Sequence, residues 1–289
     1  MRWWIALVLM AAATAACSPS DPASTTTTVA ETASTTSTIP GDAADVCVAG
    51  DLDFDTDGLI AAVGDADADA TTISQMRWEP QPSCERLVIS FATQSGAPAT
   101  TLGVTGVTVI GFEGIVRVDL PDAIAASAVA DQWTDGLIDR TYVFRDEDGN
   151  MFVDVHTAST AGIGVRAFTV TSPASLVIDV IEDASLPQPT GAATSDSAVI
   201  VAPLSGPALY PFTIEAYAPP QRASTSVVVS TDDIVSSSVT VGLPGYTDTW
   251  QSFTTRIDDG PSGVVTVFVG TVSADGATGD GASVALDLP

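Results

Sequence analysis

Short apolar runs alternating with polar residues, and separated by turn formers, fill most of the chain from about residue 72 onward. Arg86-Leu87-Val88-Ile89-Ser90-Phe91, Val107-Thr108-Val109-Ile110 and Ile115-Val116-Arg117-Val118-Asp119-Leu120 come first. Successive strand residues point to opposite faces, and β-branched and aromatic side chains suit a half-buried pleated surface. Arg140-Thr141-Tyr142-Val143-Phe144 and Met151-Phe152-Val153-Asp154-Val155-His156 flank Asp146-Glu147-Asp148-Gly149-Asn150. That reads as a hairpin, with Asp-Gly supplying the positive φ values of a tight turn. Ile163 to Thr171 and Leu176 to Val180 close this first group.

Leu186-Pro187-Gln188-Pro189-Thr190-Gly191 cannot continue a strand or helix. Beyond it seven more strands are expected: 199–201, 212–216, 226–229, 237–241, 250–255, 264–269 and 283–288. Trp250, Phe253, Val267 and Phe268 are the expected core of that group. Two stretches are expected to be helical instead. One is Leu59-Ile60-Ala61-Ala62-Val63, capped by Asp57; the other is the Ala-rich run from Asp122 to Gln132. Short strands with regular turn signals predict an all-β chain of two antiparallel β-sandwich domains, 46–183 and 198–289, joined by a linker over 184–197. Seven strands in about ninety residues is the size of an immunoglobulin-like sandwich.

Before the strands the pattern is different. Met1-Arg2 precedes an apolar run from Trp3 to Ala13, too short to span a bilayer, and then Thr14-Ala15-Ala16-Cys17. This resembles the lipobox of bacterial lipoprotein signals, in which the cysteine is acylated and becomes the new N-terminus. The resemblance implies a signal peptide over 1–16, acylation of Cys17, anchorage in membrane lipid and an outward-facing, extracytoplasmic body. The alternative is a secretory signal cleaved after Ala16, with Cys17 incidental. Residues 17–45 are rich in Ser and Thr and nearly free of large apolar residues, so they are expected to form a disordered stalk.

Charge narrows the partners. The chain carries 9 basic and 36 acidic residues, a net charge of −27, and every basic residue is Arg. A surface this acidic repels nucleic acid and anionic headgroups. Of the three cysteines, Cys47 and Cys84 remain once Cys17 goes to lipid. An even pair in an oxidising compartment argues for one disulfide, with two buried thiols as the alternative.

Asp53, Asp55, Asp57 and Gly58 match the start of a calcium loop, but the twelfth position is Gly64, where a bidentate carboxylate belongs. A solvated acidic turn accounts for these residues without a metal, and Asp65, Asp67 and Asp69 read the same way. His156 is the only histidine and reads as a hydrogen-bonded strand residue. Without Lys, and without a G-x-S-x-G elbow, Ser-His-Asp, Ser-Lys and phosphate-loop chemistries have no residues to use. Paired carboxylates for glycoside cleavage are the one enzymatic route left. Trp78, Trp133 and Tyr246 lie in expected strand edges or loops, as core rim or as sugar platforms. Arg140 and Arg145 are placed to pair with the acidic hairpin.

Two family resemblances rest on particular blocks. Cys84-Glu85-Arg86-Leu87-Val88-Ile89, Val116-Arg117-Val118-Asp119-Leu120-Pro121, Phe168-Thr169-Val170-Thr171-Ser172-Pro173 and Leu176-Val177-Ile178-Asp179 resemble the AMIN-like domain of actinobacterial envelope proteins. Related AMIN domains are all-β modules that place envelope proteins, often on peptidoglycan. Val199-Ile200-Val201-Ala202-Pro203, Pro211-Phe212-Thr213-Ile214 and Trp250-Gln251-Ser252-Phe253 resemble the immunoglobulin-like domain of germination and sporulation lipoproteins. The second family implies no enzymatic activity, and no cofactor is expected. The expectation is a non-enzymatic envelope lipoprotein that binds a wall polymer, peptidoglycan or an associated glycan. Its rivals are a structural subunit of an envelope protein complex and, third, a carboxylate-based wall hydrolase.

Overall fold

A computed structural model describes residues 47, 53–121, 124–126, 130–132, 136–232 and 234–289. The described residues form strands and connections and no helix. In the first half these are β1 (Gly58–Val63), β2 (Thr72–Pro80), β3 (Glu85–Ala92), β4 (Thr105–Ile110), β5 (Ile115–Asp119), β6 (Ala125–Ala126), β7 (Ala130–Gln132), β8 (Ile138–Arg145), β9 (Met151–Thr157), β10 (Gly162–Val170) and β11 (Ser175–Asp183). The second half holds β12 (Ala193–Thr194), β13 (Val199–Ala202), β14 (Gly206–Pro207), β15 (Phe212–Ala218), β16 (Ser224–Thr231), β17 (Ile234–Gly242), β18 (Trp250–Ile257), β19 (Gly263–Val272) and β20 (Thr278–Leu288). All seven strands expected in the second half are present.

Both expected helices are strands where the structure describes them. Leu59 to Val63 pair with Thr105–Thr108 of β4 as part of β1, and Gly58 enters at φ 79°. Ala125–Ala126 lie parallel to the start of β2, and Ala130–Gln132 pair with β8. An open ladder beside each segment supplies hydrogen bonds and packing that outweigh a weak local preference for helix.

Three sheets result. One runs β1-β4-β5-β9-β8-β18-β15-β13-β12, with β7 also on β8; the others run β10-β11-β3-β2-β6 and β14-β20-β19-β16-β17. In the first half, β1-β4-β5-β9-β8 faces the second sheet across a core that includes Ile73, Leu87, Ile89, Val118, Val153 and Ile178. In the second half, β18-β15-β13-β12 faces the third sheet across Ile214, Phe253, Val267, Val284 and Leu286. Of the expected core residues, Phe253 and Val267 are in this layer. Trp250 is buried elsewhere, between the halves. Phe268 points to the opposite face of its sheet, where its ring lies against Gly270 and Gly281 and leaves no room there for a Cβ.

The halves have separate cores but share a sheet. Trp250 and Gln251 of β18 pair in parallel with Phe144 and Arg145 of β8. In a flat sheet the four strand steps from β5 to β15 would span about 19 Å. Arg117 of β5 nevertheless donates to Tyr217 Oη of β15 at 2.8 Å. The shared sheet therefore curls sharply at the β8–β18 joint and closes its two back faces on each other. Ile115, Tyr142, Phe144, Val199, Tyr217 and Trp250 fill that fold-over. Phe144 stacks on Tyr217 at 4.4 Å, and Tyr142 meets Trp250 edge-on at 4.9 Å.

The linker is fastened rather than loose. Leu186 occupies the space a side chain at Gly162 would need, Pro189 sits against Gly114, and Thr190 N donates to Phe112 O at 3.0 Å.

Candidate functional site

The outer face of the second sheet is built from one row of charge. Arg166, Asp179 and Arg86 stand in register on β10, β11 and β3. Arg86 binds both oxygens of Asp179, Nε to Oδ1 at 2.7 Å and Nη2 to Oδ2 at 2.9 Å, and Arg166 Nε donates to Oδ2 at 2.9 Å. Asp179 is fully buried. Its hydrogen bonds and charge raise the pKa of Arg86 against the effect of desolvation. The segment before β1 covers this row, with Phe54 over the Arg166 guanidinium at 4.9 Å. Cys47 and Cys84 are joined by a disulfide, Cα–Cα 6.0 Å, which fastens the cover to the start of β3.

Cys47, Cys84 and Asp179 are the one cluster of three metal-capable residues among those described. It is a poor cation site. Both sulfurs are in the disulfide, and two guanidiniums already neutralise the carboxylate.

Beside the disulfide opens a cleft of about 490 Å³, lined by Ser83, Cys84, Glu85, Leu137, Ala158 and Glu182 among others. Glu85 is held from three sides. Its carboxylate accepts from Trp78 Nε1 at 2.8 Å and from the backbone N–H groups of Leu137 and Ile138. A Cβ at Gly136 would fall within 2.7 Å of the Glu85 carboxylate and the Trp78 ring, so a larger residue there would have to displace them. Glu182, on the far wall, accepts from Ser159 Oγ at 3.0 Å and Thr160 N at 3.1 Å. The Thr160 N–H and the Ser159 hydroxyl hold its pKa below the ordinary glutamate value. Both carboxylates are hydrogen-bond acceptors with unused lone pairs, on a rigid sheet. Glu182, held ionised, is poorly suited to act as the proton donor of a glycosidase pair.

A second buried cluster joins the halves. Arg117 stands in register with Asp154 and binds it twice, Nε to Oδ1 at 3.0 Å and Nη2 to Oδ2 at 2.9 Å. The Tyr217 hydroxyl donates to Asp154 Oδ2, and Glu215 takes a further bond from Arg117 Nη2 at 3.0 Å. Burial opposes the Arg117 charge, but hydrogen-bonded Asp154 outweighs it and the pKa rises. Burial, then the Asp154 charge, pushes the Tyr217 hydroxyl well above its usual range.

His156 lies beside this cluster, edge-on to Tyr142 at 5.1 Å. It is buried and its Nε2 has no hydrogen-bond partner, so the expected hydrogen-bonded strand histidine is corrected on that atom. Burial lowers its pKa to about 4. A neutral imidazole closed off from solvent cannot meet a substrate.

Other expected site residues are dispersed. Cys17, the stalk and Trp133 lie outside the described residues. Asp53, Asp55 and Asp57 are exposed along a segment whose Asp55 N and O bond to Val165 at 2.8 and 2.7 Å, and their carboxylates do not converge. Asp69, expected to be solvated, accepts from the backbone N–H groups of Thr100 and Thr101, both at 2.8 Å, and ties two loops together. Tyr246 is in a loop pinned by Gln251, whose Oε1 accepts from the Tyr246 N–H. Arg145 and Arg140 do not pair with the acidic residues of the hairpin. Arg145 donates to Gly149 O and Ile124 O at 2.9 Å, and Arg140 meets Asp139 at 3.3 Å. Asp146 instead closes its own turn, accepting from Asp148 N, Asn150 N and Asn150 Nδ2.

No protein-family model, curated protein or solved structure matches this chain.

Proposed function

We propose that this chain is a non-enzymatic lipoprotein of the outer cell envelope that binds a wall polymer at the cleft between Glu85 and Glu182. The lipobox-like Cys17 supplies the anchor, and an AMIN-like half followed by a germination-type immunoglobulin-like half supplies the body. The observation that carries the reading is the cleft itself: about 490 Å³, open, with two fixed carboxylate acceptors on a disulfide-stapled sheet. Sugar hydroxyls and acetamido N–H groups are donors, the complement of that lining. An uncharged glycan also escapes the repulsion that a chain of net charge −27 exerts on anionic polymers.

The test is co-sedimentation of the purified protein with wall sacculi. Retention is expected, and Glu182→Arg, which places a cation on the cleft wall, is expected to reduce it at least tenfold while the circular dichroism spectrum stays unchanged. No retention of the parent leaves the envelope-complex subunit as the better reading. A clearing zone on wall substrate would instead support the hydrolase.

A further inference from the structure

The strand paths of the three sheets have six ends among the described residues, with the three-residue β7 a side branch on β8, and five of the six ends are blunt. β6, β12 and β14 are two residues long. β1 and β10 lie beside each other, and Asp55 bridges Val165 at the middle of β10. The sixth end, β17, is nine residues long and is followed by no further strand in its sheet. Long edges in soluble proteins carry charge or proline to prevent pairing. Ile234-Val235-Ser236-Ser237-Ser238-Val239-Thr240-Val241-Gly242 carries neither, and Ile234, Val235 and Val239 are 72, 49 and 38% exposed.

The neighbouring strands extend this neutrality. β16 and β19, next in order from the edge, contain no charged residue, in a chain with 36 acids. Two such acidic molecules repel over most of their surfaces, so an edge without charge is where identical copies can approach.

We infer that β17 pairs antiparallel with β17 of a second copy, merging two five-stranded sheets across a two-fold axis. A bulge in the β16–β17 register between Val229 and Ser230 leaves Ser236 without a partner, so the regular ladder is Ser237–Gly242. Centred on Val239, the two-fold places Val239 against itself, Ser237 opposite Val241 and Ser238 opposite Thr240. Asp232 falls outside that ladder, so no carboxylate meets its counterpart. The contact is isologous and closed, which limits assembly to a dimer.

Sedimentation equilibrium of the full chain from about 1 to 100 µM spans the range in which a modest strand-pairing dimer would appear. A monomer–dimer equilibrium is expected, weakened at least tenfold by Val239→Lys and unchanged by Thr266→Lys on the exposed face of β19. Val239→Cys, against the parent protein, is expected to give a covalent dimer on mild oxidation, because the two residues face each other. Monomer throughout, a dimer indifferent to Val239→Lys, or no added cross-link from Val239→Cys would each overturn the inference. Retention on sacculi is a separate measurement, and its failure would leave the dimer standing.

Discussion

The two buried arginine–aspartate clusters start from the same element and end differently. Each is a cross-strand Arg–Asp pair in register, Arg86–Asp179 in one and Arg117–Asp154 in the other, with the aspartate fully buried. The first is completed within its own sheet by Arg166, so one carboxylate balances two guanidiniums. The second is completed from the other half of the molecule by Tyr217 and Glu215, so one guanidinium meets two carboxylates and a hydroxyl. A desolvated charge pair contributes little net stability but is costly to break. The first cluster therefore fixes a layer, while the second fixes how two layers meet.

The sharpest way to separate them is to delete each aspartate. Asp179→Ala leaves two cations facing each other under a disulfide-fastened cover, and we expect a loss of about 4 kcal/mol by urea denaturation. Asp154→Ala is expected to cost less, about 3 kcal/mol, because Glu215 still neutralises Arg117. Only the second variant is expected to speed limited proteolysis between residues 184 and 197. Equal proteolysis in the two would show that the seam does not depend on Asp154.

Acidity probes the second cluster through His156, which adjoins it. Unfolded, the imidazole titrates near 6.5; folded, near 4. As pH falls through this window the unfolded chain binds the proton first. Stability is full above pH 6.5, declines as pH drops and flattens with respect to this group below about 4. Between pH 7 and pH 5 the loss should be about 2 kcal/mol. His156→Phe is expected to flatten that slope, and an unchanged slope would place its origin elsewhere. The smallest effect is Tyr217→Phe, which removes both the bond the hydroxyl donates to Asp154 and the one it accepts from Arg117, about 1.5 kcal/mol.

The strand frame was largely legible in sequence because it depends on local alternation. Val264 to Val269 and Ser283 to Leu288 place every second residue in the core, as their spacing implies. The helices expected at 59–63 and 122–132 failed because neither stretch has decisive periodicity, and remote partners decided their conformation. Phe268 is buried as expected, but on the face opposite the sandwich core, because nothing local reveals that Gly270 and Gly281 open a seat there. The charge clusters did leave a trace. Arg166 and Asp179 each interrupt an apolar run and Arg86 opens one, in a chain with only nine basic residues, and a charge in such a place needs a partner. Which partner depends on register, and the joint between β8 and β18 links residues more than a hundred positions apart. The cleft at Glu85 was hidden for the same reason: Leu137, Glu182 and Trp78 meet only through three different connections.

The docked connector between the halves has a practical meaning. Because the shared sheet and the ionic seam hold the two bodies together, a single cut in 184–197 should leave the pieces travelling as one particle in native conditions and as two in denaturant. A protease that nicks this stretch would thus leave a scar without a release, and the distal body would stay with the proximal one.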